Sequence, residues 1–171
     1  ESVITGEDDA FIVPRRVARA RDLPLESPGF VEGYQVRDFT IEDSDVFICA
    51  LERTGAFVEP SRAQSAFWWP FRSGLRERLY FGQTPEARGL RWFDPVIYFG
   101  KRHANNYAIP FPFVATHVNF AFDRRGSVYN KSARPVRLPG GASEEQYLDL
   151  LGVLNSSVAC FWLKQVSYPK G

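Results

Sequence analysis

Methionine is absent from the 171 residues, and cysteine and histidine occur only twice each. Cys49 and Cys160 lie far apart in apolar surroundings, Phe47-Ile48-Cys49-Ala50 and Ala159-Cys160-Phe161-Trp162, with no second ligand type at metal-binding spacing. That excludes a zinc site and a disulfide framework, and leaves two buried, reduced thiols. No apolar run approaches the roughly 18 residues of a membrane span, and no signal-peptide pattern opens the chain. We therefore expect a cytoplasmic protein with no membrane partner. Pro-Pro is missing, although a loop that grips the exocyclic amine of a flipped adenine needs Asp/Asn-Pro-Pro-aromatic. Asp94-Pro95-Val96-Ile97-Tyr98 imitates it only superficially, and Pro139-Gly140-Gly141 is a weak likeness of a cofactor loop. Restriction-type nucleases place an acid two residues before a lysine beside metal-bound carboxylates. Here the residues before Lys101, Lys131, Lys164 and Lys170 are Phe99, Tyr129, Trp162 and Tyr168. Nucleophile-elbow and phosphate-loop motifs are missing too. No catalytic, cofactor-binding or metal-binding residue is assigned, and the chain is expected to be inactive by itself.

What is present is aromatic and locally charged. Phe, Tyr and Trp make up 15% of the chain; most are expected in a core, with a few left to line a groove. The formal net charge is only +1, but it is unevenly distributed along the sequence. Residues 1–60 carry 13 acidic and 6 basic side chains, a balance of −7, whereas residues 61–137 carry 13 basic and 4 acidic, a balance of +9. Eleven of those 13 cations are Arg, the side chain suited to bidentate contact with phosphate and guanine. The pattern suggests one domain with an acidic strand-and-loop lobe over 1–60 and a basic, aromatic-rich lobe over 61–171 that ends in helix. The abrupt start at Glu1-Ser2-Val3 and the finish at Tyr168-Pro169-Lys170-Gly171 suggest an excised domain.

Element signals point to an α+β fold with a short antiparallel sheet and a C-terminal apolar helix or helix pair. Phe11-Ile12-Val13 and Asp45-Val46-Phe47-Ile48 read as strands, Val17–Arg21 as a short helix, and Ser73 as the N-cap of a helix carrying Leu75 and Leu79. Phe113–Asp123 alternates like a strand, with Val114, Thr116, Val118, Phe120 and Phe122 on one face and His117 and Asn119 on the other. Arg124-Arg125-Gly126-Ser127 reads as a turn, and Val128–Asn130 and Pro135–Leu138 as strands. Ser143-Glu144-Glu145-Gln146 is a capping box. Behind it Tyr147, Leu148, Leu151, Leu154, Val158, Phe161 and Trp162 recur at helical spacing as core, and Asn155-Ser156 caps a kink or helix junction.

Several of these segments together resemble one family. Phe113–Ser132 (F-V-A-T-H-V-N-F-A-F-D-R-R-G-S-V-Y-N-K-S) and Leu150–Gly171 (L-L-G-V-L-N-S-S-V-A-C-F-W-L-K-Q-V-S-Y-P-K-G) resemble the C-terminal region of PglX-type, adenine-specific DNA methyltransferases of BREX and phage-growth-limitation defence systems. Trp69-Pro70-Phe71-Arg72 with Arg76-Glu77-Arg78 and Phe81-Gly82, and Gly33–Asp38, fit in order, so the likeness runs from about Ile4 to the end. It implies a target-recognition domain, mixed α/β and like the specificity domains of restriction-modification enzymes. The parent enzyme would use S-adenosylmethionine, and its catalytic domain would precede this region. The fragment itself would hold no cofactor.

The resemblance singles out Arg72, Arg76 and Arg78 as phosphate-positioning candidates, set against ordinary salt bridges with Glu77 or its neighbours. It makes His117, Asn119, Arg124 and Arg125 candidate readers of base edges or backbone, set against satisfied hydrogen bonders. Lys101, Arg102, His103, Asn105 and Asn106 fall on an expected loop, and Lys131 is a further DNA-binding candidate. The implied partners are double-stranded DNA, the parent's catalytic domain and other defence-system proteins. The rival expectation is a protein-interaction module that docks defence components or a phage inhibitor, which would show an exposed apolar patch.

Overall fold

In the computed structural model, which describes residues 2–25, 29–52, 57–98 and 107–167, helices begin where side chains take up free backbone N–H groups. Ser61 opens α3 (Arg62–Trp68) with a reciprocal box: its Oγ accepts from the Gln64 N–H at 3.1 Å, and Gln64 Oε1 accepts from the Ser61 N–H at 2.9 Å. Ser143 and Gln146 repeat the device at α5 (Glu144–Leu154), with Glu144 and Glu145 in the first turn facing the positive end of the helix dipole. Ser156 Oγ accepts from Ala159 N–H at 3.1 Å to start α6 (Ser157–Val166), so the C-terminal segment is a helix pair. The helix expected to open at Ser73 begins earlier. From α3 the chain passes through a 3-10 turn over Trp69–Phe71, where Pro70 fits the first turn, into α4 (Arg72–Glu77). Ser73 is therefore inside the helix, Leu75 is buried and Leu79 is exposed.

The residues form two compact units, each discontinuous in sequence: Glu1–Ser2, Val31–Asp43 and Arg102–Gly171 in the first, and Val3–Phe30 and Ser44–Lys101 in the second. In the second unit β2 (Ile12–Pro14) and β6 (Val46–Ile48) pair antiparallel, Ile12 opposite Ile48 and Val13 opposite Phe47. The short helices α1 (Asp8–Phe11) and α2 (Arg15–Ala20) flank β2 in sequence. Trp68 lies at the centre of this unit, wholly buried between Phe11 (5.9 Å between ring centroids) and Phe93 (5.7 Å, stacked). A buried indole needs an acceptor, and its Nε1–H donates to Ala10 O at 2.8 Å. Buried Gln64 donates to Cys49 O at 3.0 Å.

The first unit contains three small sheets. β4 (Val36–Arg37) pairs antiparallel with β5 (Thr40–Ile41), and β7 (Ile109–Pro112) with β9 (Ala133–Val136), Phe111 opposite Arg134 and Pro110 opposite Pro135. β8 (Val128–Asn130) is the middle of a three-stranded sheet in the order β1-β8-β3, to which β1 (Ser2–Val3) and β3 (Phe30–Val31) bring the unit's Ser2 and Val31. Gly33 sits against this assembly so closely that a Cβ would lie 2.4 Å from Ser132 O, a position only glycine can fill.

Two expectations are corrected here. Residues 113–122 form no strand, in spite of their alternation. β7 ends at Pro112, Phe113–His117 are all exposed, and Phe120 and Ala121 are buried as neighbours. The segment is held by tertiary partners: Ala121 N–H donates to Pro110 O at 3.1 Å, and both amide atoms of Asn155 clamp the backbone of Phe120, at 3.1 and 2.9 Å. Asn155 thus acts as a one-residue strand, and capping falls to Ser156 alone. The helix pair also buries less than its sequence suggests. Tyr147 is buried with Ile109 and Phe120, and Leu151, Leu154 and Leu163 pack around them. Leu148, Val158, Phe161 and Trp162 are exposed, the last two at 68% and 61%. A helix on one core buries one stripe, and the leucines occupy it.

Candidate nucleic-acid interface

Asp123 builds the Arg124–Arg125 turn. It pairs with Ala108 through both backbone groups at 3.0 and 2.9 Å, and its buried carboxylate accepts from three donors: Arg125 N–H at 2.9 Å, Ser127 N–H at 3.0 Å and Tyr129 OH at 2.5 Å. Burial pushes the Tyr129 phenol above its ordinary value, and the neighbouring carboxylate pushes it further, so the hydroxyl remains a donor. Gly126, at φ 67°, completes the turn. The two arginines it displays are engaged. Arg124 donates to Glu144 Oε1 through Nη2 at 2.6 Å and lies 4.4 Å over the Phe122 ring. The same hydrogen bond holds the Glu144 carboxyl below its usual range. Arg125 pairs with Asp43 at 3.1 Å and reaches Asp123 at 3.6 Å.

The three arginines around α4 diverge. Arg72 lies 5.1 Å over the exposed Trp69 ring, and Arg76 donates to Glu86 at 2.9 Å. Arg78 turns inward. At 8% exposure it donates to Leu75 O and Trp92 O at 2.9 and 2.8 Å, to Asp94 O at 3.0 Å and to Thr5 O. Burial lowers its pKa to about 10, which still leaves it charged at neutral pH. A guanidinium spent on four carbonyls organises the loops around it and does not reach phosphate.

His117 and Asn119 lie after β7 in the exposed loop. Thr116 Oγ1 is 3.0 Å from His117 Nδ1, and Asn119 approaches His117 O at 3.5 Å. The turn between β8 and β9 comes to the same end of the β7–β9 pair, because Phe113 N–H donates to Ser132 O at 2.8 Å. This turn carries Lys131, which has no ionic partner among the described residues. Arg134, which the sequence did not single out, lies 4.3 Å over the exposed Phe113 ring. The structure therefore brings Lys131, Arg134 and Phe113 to one end of a β-pair, and His117 follows in the loop that leaves it. Lys101, Arg102, His103, Asn105 and Asn106 lie outside the described residues.

A second group of cations also escapes the sequence reading. Arg15, Arg16, Arg19 and Arg21 belong to or follow α2, and none pairs with a carboxylate among the described residues. The signal is present as R-R-V-A-R-A-R over residues 15–21, but it is embedded in the acidic first third of the chain. Folding redistributes the charge seen along the sequence. The first unit holds 9 basic and 9 acidic residues and the second 12 basic and 11 acidic, so neither is strongly basic as a whole. Contact with a polyanion would fall to local groups of cations. Among the described residues, no group of three or more His, Cys, Asp or Glu side chains is placed to hold a metal ion, and no helix is long and apolar enough to cross a membrane.

No family model matches the sequence. Compared with curated proteins, the chain is 40% identical over 172 residues to the adenine-specific methyltransferase PglX of Streptomyces coelicolor. The alignment covers 98% of this chain and 14% of that protein. The chain is therefore related to a region of a PglX methyltransferase, and it spans only a small part of that relative's length.

Proposed function

We propose that the chain recognises double-stranded DNA on behalf of an S-adenosylmethionine-dependent adenine methyltransferase of a phage-defence system. The observation that carries this reading is the alignment of nearly the whole chain with 14% of an adenine-specific methyltransferase. The chain has no Asp/Asn-Pro-Pro-aromatic sequence, so its contribution to such an enzyme is something other than the transfer step. Holding the target is the contribution its cations and exposed loop can make. Phosphate contacts would come from α2 in the second unit and from Lys131 and Arg134 in the first, while the 113–119 loop offers His117 and Asn119 to a groove.

The test is equilibrium binding of a fluorescent duplex by the purified chain across a salt series. Affinity should fall linearly on a log–log plot, with a slope of about −0.9 per phosphate neutralised. Arg16→Ala with Arg19→Ala, or Lys131→Ala with Arg134→Ala, should each weaken binding and make the slope shallower by about one for every phosphate left without its cation. Absence of binding even at low salt rejects the proposal.

A second reading, docking to protein, is favoured by one observation. Val158, Phe161, Trp162 and Val166 form an exposed stripe at i, i+3, i+4 and i+8 of α6. The occupant this reading commits to is the rest of a PglX-like methyltransferase chain, since the match covers only 14% of the aligned relative. Replacing Phe161 and Trp162 with Gln would abolish such docking and leave duplex binding unchanged.

A further inference from the structure

Two hairpin turns in this chain hold a phenylalanine where L-residues are strained. Between the paired residues Arg37 and Thr40, Asp38 and Phe39 have φ of 47° and 65°. Between Tyr80 and Gln83, whose N–H groups donate to each other's carbonyls at 3.0 and 3.2 Å, Phe81 and Gly82 have φ of 50° and 74°. Two-residue turns of this hand take Asn, Asp or Gly, and a phenylalanine there stores backbone strain. The surroundings separate the two rings. Phe39 sits among exposed Asp38, Glu42 and Asp43, a poor neighbourhood for phosphate. Phe81 is 89% exposed, and its ring meets Tyr80 edge-on at 4.5 Å. On the Tyr80 ring lies the Arg88 guanidinium, at 5.2 Å. The second unit thus presents a narrow two-residue tip that ends in an exposed aromatic ring, held edge-on by Tyr80, with a cation close behind it.

We propose that Phe81 is a wedge that enters between stacked base pairs of duplex DNA. The inference rests on the DNA-recognition reading above and names what one residue of that surface contacts. A flat ring at the apex of a two-residue hairpin has the thickness of a base and little else around it to obstruct entry. Apolar wedges of this kind part a base step, and enzymes that modify a base must take it out of the stack. The aligned relative is adenine-specific, and a ring standing in the opened step would hold the gap. Arg88 behind the tip, held by one hydrogen bond from Nη1 to Val96 O at 2.9 Å, would add positive charge near the flanking phosphates.

Mismatched duplexes are already partly unstacked, so a wedge enters them at less cost. The experiment compares affinity for a matched duplex and for the same duplex with one central mismatch, using the full chain and the variants Phe81→Asn and Phe81→Trp. Asn-Gly is the favoured pair for this turn, so Phe81→Asn keeps the hairpin, and a thermal midpoint no lower than that of the wild type verifies that. The wild-type chain should prefer the mismatched duplex by about tenfold or more, in line with one base–aromatic stack. Phe81→Trp should keep the preference, and Phe81→Asn should lose it with an unchanged salt slope. If the wild type shows no preference, or Phe81→Asn keeps it, the wedge is refuted while matched-duplex binding leaves DNA recognition standing. If the wild type binds neither duplex, both proposals fail.

Discussion

Individual side chains show how far residue type alone can mislead. Arg78 occurs in a run, Arg76-Glu77-Arg78, that looks like a basic surface, yet its guanidinium is the internal bracket of the second unit. Replacing it with Ala should destabilise the chain by about 3 kcal/mol or more, because several carbonyls lose a charged donor, and chemical denaturation would measure the loss. A surface role would leave the stability within about 0.5 kcal/mol of wild type. The cysteines give a second prediction. Burial raises the Cys49 thiol to about 12, and its Sγ–H donates to Ala10 O at 3.5 Å, whereas Cys160 is half-buried. A thiol reacts as thiolate, so at pH 8 a disulfide reagent should titrate one thiol in the native chain and two in denaturant. Two fast-reacting thiols in the native chain would contradict the packing around Trp68.

Elements were legible where their determinants are local. The Ser143–Gln146 box, the helix junction at 155–157 and the Arg124–Gly126 turn each follow from a few adjacent residues, and the structure has them; the strands expected at 11–13 and 45–48 form at Ile12–Pro14 and Val46–Ile48, with Phe11 in α1. They were not legible where distant residues decide. Nothing within Phe113–Phe122 reveals that Asn155 will clamp Phe120 or that Asp123 will pair with Ala108, and these contacts override a period-2 pattern. Likewise the heptad-like run through α5 and α6 does not say which stripe meets Tyr147. At this scale the account predicts that Trp162→Gln changes stability by no more than about 0.5 kcal/mol, and Trp68→Ala lowers it by about 3–5 kcal/mol. Comparable losses for the two would return Trp162 to the core. The candidate site was partly legible in the same way. Lys131, His117 and Asn119 are marked in the sequence, but the loop that carries the last two is not, and Arg134 gains its place only through the register that sets it opposite Phe111, beside the exposed Phe113 ring.

At the scale of the whole molecule, the central matter is how a chain with a net charge of +1 would carry the proposed contact with DNA. Ion pairs within each unit remove much of the basicity of residues 61–137: Arg76 with Glu86, Arg91 with Glu59 and Asp94, Arg124 with Glu144, and Arg125 with Asp43. What remains is a few cation groups and aromatic tips, a pattern suited to positioning a duplex more than to gripping it tightly. The most direct measurement is selection from a pool of random duplexes, with sequencing of the DNA retained at moderate salt. The account predicts enrichment of a short asymmetric motif containing adenine, abolished when the 113–119 loop is replaced by a Gly/Ser segment of equal length. Retained DNA with the sequence composition of the input pool would contradict it.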